Sequence, residues 1–145
     1  MANIFVNTDN SNVSSTIYKA ARVGKSAEAA EKKMQEVVIA VVAKEAGFVT
    51  EKSAAGKGYT IRIEVTKVET AGGQTTYTVH PEIVRYPSSA AKGGKGEEMV
   101  STLTRDPTIT VQGHSEGMLL DGIEAVTENI VRKSLPLMKI DMAKR

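Results

Sequence analysis

The sequence predicts an α+β fold: an antiparallel or mixed sheet of four to five strands, with two helices packed on one face, in the order β-α-β-β-β-β-α. Three observations carry this. From Tyr59 to Thr66 apolar and polar residues alternate strictly, and Gly72-Gly73 separates this stretch from a second strand-like run. Two further segments, near Ala27–Ala46 and Gly117–Leu135, place apolar residues at three- and four-residue spacing. Alternating strands leave one apolar face, and two helices with an apolar stripe each are the natural cover for it.

The elements follow in order. NIFVNT near the amino terminus is a short β-branched and aromatic run and reads as a strand. The polar DNSNVSS after it reads as loop, so residues 1–25 are expected to be partly irregular. From Ala27 to Ala46 the residues Ala30, Met34, Val37, Val38, Val41 and Val42 fall on one helical face. Ser26 stands at the N-cap position, Glu28 and Glu31 complement the helix dipole, and Gly47 is placed for the left-handed C′ conformation. FVTEKS reads as a short strand and AAGKG as a turn.

YTIRIEVTKVE (Tyr59–Glu69) is the clearest strand, and TYTVHPEIVRY its hairpin partner. Pro81 lacks an amide donor, which predicts an edge position or a bulge for the partner strand. PSSAAKGGKGEE, residues 87–98, reads as a flexible Gly-rich loop. MVSTLTR and TITVQ are strand segments divided at Asp106-Pro107, either one bent strand or a pair joined by a turn. In the last helix Leu120, Ile123, Thr127, Ile130, Val131 and Ser134 share a side, acids precede bases, and Pro136 is expected to end it.

The bulk properties bound the function. At 145 residues the chain is a single domain, residues 1–145, with 41% hydrophobic and 25% charged residues, as in a soluble globular protein. The 19 basic residues are interspersed with 17 acidic ones, and the net charge of +2 offers no basic face for nucleic acid. Aromatic residues are 4% with no Trp, which disfavours base- or sugar-stacking surfaces. The absence of cysteine removes disulfides, thiolate chemistry and Cys-ligated zinc. VVIAVVA is too short to span a bilayer, so no membrane span is expected. The opening MANIFVNTDN has no basic n-region and no apolar h-region. The compartment stays open: cytoplasmic as given, periplasmic if an upstream signal has been removed.

GHSEG, residues 113–117, fits the G-x-S-x-G pattern of the nucleophile elbow and lies between a strand and a helix, as that elbow requires. A serine hydrolase also needs a histidine base, in the order Ser, acid, His, and neither His80 nor His114 follows Ser115. The parallel sheet of that fold is missing as well. The competing reading is a glycine-flanked turn with Ser115 near the helix cap. GKS at residues 24–26 lacks the glycine five positions earlier that a phosphate loop needs, since Lys19 stands there.

KGGKG puts Lys92 and Lys95 in a glycine-rich loop that would suit an anion, or serve simply as a solvated hairpin tip. His80 and Glu82 lie on one strand face and with His114 would make a small cluster. No catalytic set, metal site or cofactor emerges. The binding candidates are Lys92, Lys95, His80, His114 and Ser115.

In its order of elements, with a short strand near AGFVT and a closing helix LLDGIEAVTENIVRKSL, the chain resembles a group of bacterial envelope accessory domains. These are the amino-terminal domain of the translocation protein TolB and the related domains of curli secretion and penicillin-binding-protein activator lipoproteins. The resemblance covers most of the chain and carries no diagnostic residues. It implies a non-catalytic role: binding other envelope proteins, or self-association into an oligomer. The leading expectation is therefore a non-enzymatic protein-interaction or assembly domain, with a protein partner or a second copy of itself. The rivals are a small serine hydrolase using Ser115 and an anion or small-ligand binder using residues 92–96.

Overall fold

In a computed structural model, residues 3–8, 17–51, 58–86, 98–102 and 105–144 are described. The strands are β1 (Ile4–Asn7), β2 (Tyr18–Lys19), β3 (Phe48–Val49), β4 (Gly58–Ala71), β5 (Gln74–Tyr86), β6 (Glu98–Thr102) and β7 (Thr108–Gln112). The helices are α1 (Ala27–Lys44), entered through a 3-10 turn over Ala21–Ser26, and α2 (Glu116–Lys144). The class is the expected α+β and the sheet is mixed, one of the two expected alternatives, but it has seven strands rather than four to five. The two extra strands arise from β2, inside the amino-terminal segment expected to be irregular, and from the separation of β6 and β7.

The β4–β5 hairpin is the spine of the sheet, closed by Gly72 and Gly73 at φ 60° and 75°. Both turn positions need positive φ, which glycine adopts without a Cβ clash. β4 turns Tyr59, Ile61, Ile63 and Val65 into the core. A bulge between Val65 and Lys67 then adds one residue to β4, so the inward set changes parity and Val68, not Lys67, packs on the core beside Tyr77. β1 pairs in parallel with both β3 and β4, and β2 pairs in parallel with β4 at Ile63 and Glu64. Gly58 is required where β1 crosses, because a Cβ there would overlap the Phe5 carbonyl and ring.

Ala30, Met34, Val38 and Val42 of α1 and Leu119, Ile123, Ile130, Val131, Leu135 and Met138 of α2 complete one cluster with the inward strand residues. Three details differ from expectation. Ser26 makes no cap bond to its own helix; the Ala27 N–H is taken by the Gly24 carbonyl of the 3-10 turn, and the Ser26 hydroxyl donates to Glu116 Oε2 at 3.2 Å. Gly47 adopts φ 89° as expected, and its carbonyl accepts the Ile4 N–H, tying the end of α1 to β1.

Pro136 does not end α2. A proline inside a helix forfeits one backbone bond. Here the inward spacing continues through Leu135, Met138 and Asp141, and that burial holds the last turns on the sheet.

The third difference is at Pro81, where the edge alternative fails. β5 is an interior strand, paired with β4 on one side and with β7 and then β6 on the other. β7 pairs with residues 74–78 and β6 with residues 82–85, both antiparallel, so they occupy one lane interrupted opposite Pro81. The Val79 N–H donates to the Pro107 carbonyl. Amide directions alternate along a strand, so Pro81 nitrogen faces the same lane, at the position where no donor is required.

Candidate functional site

The GHSEG turn follows directly from the end of β7. Gly113 at φ 55° reverses the chain and its N–H donates to the Gly73 carbonyl, stitching the turn to the β4–β5 hairpin. Ser115 then caps α2: its Oγ accepts the Met118 N–H at 3.3 Å and its carbonyl accepts the Leu119 N–H at 3.1 Å. His114 Nδ1 lies 3.4 Å from the Thr75 hydroxyl, which itself bonds the Gly113 carbonyl at 2.5 Å. Among the described residues no histidine contacts Ser115, so the elbow pattern is occupied by a helix cap.

His80 has other partners. Its Nδ1 is 3.0 Å from Asp106 Oδ1 and its Nε2 is 3.3 Å from Glu82 Oε1. The ring thus bridges β5 to the segment leading into β7. Glu82 also faces Arg62 at 3.9 Å, and Glu64, the β4 register partner of His80, pairs with Lys19 at 3.6 Å. The hydrogen bond to Asp106 is the largest influence raising the His80 pKa above 6.5, partial burial opposes it, and the charges of Asp106 and Glu82 add to the rise.

His114 does not join this cluster. It sits beside Thr75, five residues along β5, roughly 17 Å away at the usual rise of a strand. No group of three or more acidic or imidazole side chains is arranged to hold a metal ion among the described residues. Lys92 and Lys95 lie outside the described residues.

The feature that sequence reasoning missed is the outer edge of β7. The Val79–Pro107 and Gly113–Gly73 bonds fix the parity of the lane: odd-numbered residues from 107 to 113 turn their amides toward β5. Thr108, Thr110 and Gln112 therefore turn theirs outward, and no strand pairs with that edge among the described residues. Their side chains are exposed on the face away from the helices, while Ile109 and Val111 point into the core.

The strand TITVQ carries no charge and no proline, so nothing on it blocks a further strand. Another unpaired edge among the described residues, the far half of β4 beyond β2, carries Lys67 and Glu69, ion-paired at 2.8 Å, which is how natural edges discourage pairing. The sequence signal was present in the uncharged TITVQ. By local rule alone Pro81 marks β5 as the edge instead.

A second missed constellation is structural. Asp141, buried near the end of α2, accepts the Tyr59 hydroxyl at 2.6 Å and pairs with Arg85. Tyr59 and Arg85 are direct register partners on β4 and β5, so one carboxylate ties the end of α2 to both central strands. Tyr18, buried on β2, has its phenol pKa pushed up by burial alone. A shallow groove between α1 and α2 is floored by Val37 and Val41 and rimmed by Glu124, Glu128 and Arg132, of which the last two form an exposed ion pair.

No helix of the described residues is long and apolar enough to cross a membrane. No family model matches the chain, and no curated protein does. Two solved bacterial structures are similar. A lipoprotein candidate from Caulobacter crescentus CB15 is 10% identical, with a TM-score of 0.44, over 80% of this chain and 85% of that one. A Xanthomonas campestris protein of the family model DUF330 is 13% identical, with a TM-score of 0.55, over 97% of this chain and 88% of that one. The TolB, curli-secretion and activator types are not among these two, and what the chain shares with the Xanthomonas protein is its fold.

Proposed function

We propose that the protein is a non-catalytic assembly domain that engages a protein strand along the outer edge of β7. The observation that carries this reading is the row of outward amides at Thr108, Thr110 and Gln112 on an uncharged edge that no strand among the described residues pairs with. Strand addition takes its affinity from such main-chain groups and its specificity from alternate side chains. Engagement of Ser115 as a helix cap and of both histidines by other partners supports a role without chemistry. The bacterial envelope setting of this reading rests on the resemblance of its element order to envelope accessory domains.

A photoreactive residue installed at Thr110 in living bacteria tests the proposal, with Thr70 on the charged β4 edge as the control position. The expected result is a discrete cross-linked adduct from position 110 and none from position 70. Absence of any adduct from position 110 would overturn the reading.

A further inference from the structure

Resting on the edge reading above, we infer that the partner of β7 is a second copy of the same strand, paired antiparallel about a two-fold axis at Thr110. Three observations select this occupant. The first is self-complementarity. The outward set Thr108, Thr110, Gln112 is centred on Thr110, so an antiparallel copy places Thr110 against Thr110 and Thr108 against Gln112. The two Thr110 residues then exchange N–H and C=O bonds reciprocally, and each Gln112 N–H meets a Thr108 carbonyl. The Gln112 carbonyl already accepts the Ser115 N–H and keeps a second lone pair for the neighbour.

The second observation is charge. Arg105, exposed, stands before the start of β7, and Glu116, exposed, stands just past its end. An antiparallel pair sets Arg105 of each copy against the Glu116 end of the other, whereas a parallel pair would set like charges together. Asp106, the one acid beside Arg105, is already engaged by His80 at 3.0 Å.

The third is the flank above the strand. Gly122 of α2 lies directly over Ile109, and Met118 and Val126 share its four-residue spacing. Met118, one helical turn before Gly122, is a large apolar side chain left 43% exposed. A second copy brings its own α2 to this flank, so Met118 gains apolar cover and the inward row Ile109, Val111 continues across the interface. A closed two-fold pairing also consumes both free edges, which removes the aggregation hazard of an uncharged edge strand.

Light scattering across a concentration series up to about 1 mM tests this, since even a contact worth about −4 kcal/mol is half-populated there. The expected result is a dimer. Thr110→Pro removes an outward N–H that β5 does not use and is expected to give a folded monomer. Arg105→Glu is expected to weaken the dimer about tenfold, two repelling contacts of roughly 0.7 kcal/mol each, and Glu116→Arg in the same chain to restore it. This surface charge pair decides the matter if Thr110→Pro does not fold.

A wild-type chain that stays monomeric overturns the inference, as does an assembly that Thr110→Pro and the charge reversal both leave intact. Adduct mass at position 110 separates the two levels of failure. An adduct with a different protein removes self-pairing and leaves the edge reading standing, while no adduct removes both.

Discussion

Gly122 in α2 sits against Ile109 in β7 so closely that a Cβ on the glycine would overlap the isoleucine Cγ2. On an exposed helix Gly→Ala gains about 1 kcal/mol of helix propensity. Forcing a methyl into a packed contact costs roughly 1–3 kcal/mol. Gly122→Ala is therefore expected to lower stability by up to about 2 kcal/mol, against the sign of propensity, as read by urea denaturation. Ile109→Val in the same chain, which trims the side chain that the new methyl meets, is expected to recover part of the loss. A Gly122→Ala variant more stable than the parent would show that α2 does not rest on β7 as described.

Asp141 makes the carboxyl-terminal part of α2 indispensable. Tyr59 is fully buried and its hydroxyl donates to Asp141, which also pairs with the partly buried Arg85. Asp141→Ala removes one bond from each of these two side chains, and a buried hydrogen bond to a charged group is worth about 1.5–3 kcal/mol. The expected loss is about 3 kcal/mol in chemical denaturation, and a double-mutant cycle with Tyr59→Phe is expected to return a coupling of at least 0.5 kcal/mol. Cleaving the chain at Pro136 should be worse still, since Met138 is lost with Asp141. Retention of full stability after that truncation would contradict the structure.

What could be read from the sequence, and what could not, follows one division. Periodicity located β4, the hairpin and both helices, because a buried face imposes its spacing on the residues: Tyr59, Ile61, Ile63 and Val65 in the strand, Met34, Val38 and Val42 in α1. Local rules failed where tertiary contact outweighed them. Pro136 after the basic pair Arg132-Lys133 matches local rules for a helix end, yet the inward positions beyond it keep the helix going. Pro81 satisfies the rule for an edge strand, yet its missing donor faces the interruption between β6 and β7. The site suffered for the same reason. His80 with Glu82 is visible as a same-face pair on one strand, but Asp106 reaches His80 only through the lane order, which no spacing in the sequence encodes.

Ser115 offers a direct comparison of cap and nucleophile. Its bond to the Met118 N–H is long and solvent-exposed, which places it at the weak end of helix caps. Ser115→Ala is expected to cost about 0.5–1 kcal/mol, and Ser115→Asp to restore most of it by supplying both a cap acceptor and a negative charge at the helix amino terminus. A fluorophosphonate probe is expected to leave the wild-type chain unlabelled. Labelling of wild type but not of Ser115→Ala would make the residue a nucleophile and remove the non-catalytic reading.

The His80 bridge gives stability a defined pH dependence. Both ring nitrogens face carboxylates, and the folded-state pKa is raised above 6.5, with the Asp106 hydrogen bond as the leading cause. A raised pKa means that the folded chain holds the proton more tightly than the unfolded one. The resulting stabilisation is fully present below the unfolded pKa and is lost as pH rises through the folded one. Groups around the ring set the size of the effect: Glu82 is shared with Arg62, and Glu64 opposite is occupied by Lys19. Denaturant midpoints measured from mildly acidic to mildly alkaline pH should therefore fall more for the wild type than for His80→Gln, with the two curves converging at the alkaline end. Asp106→Asn should remove most of that slope while keeping a hydrogen-bond acceptor for His80. Parallel curves for wild type and His80→Gln would mean that the imidazole carries no proton between β5 and the approach to β7.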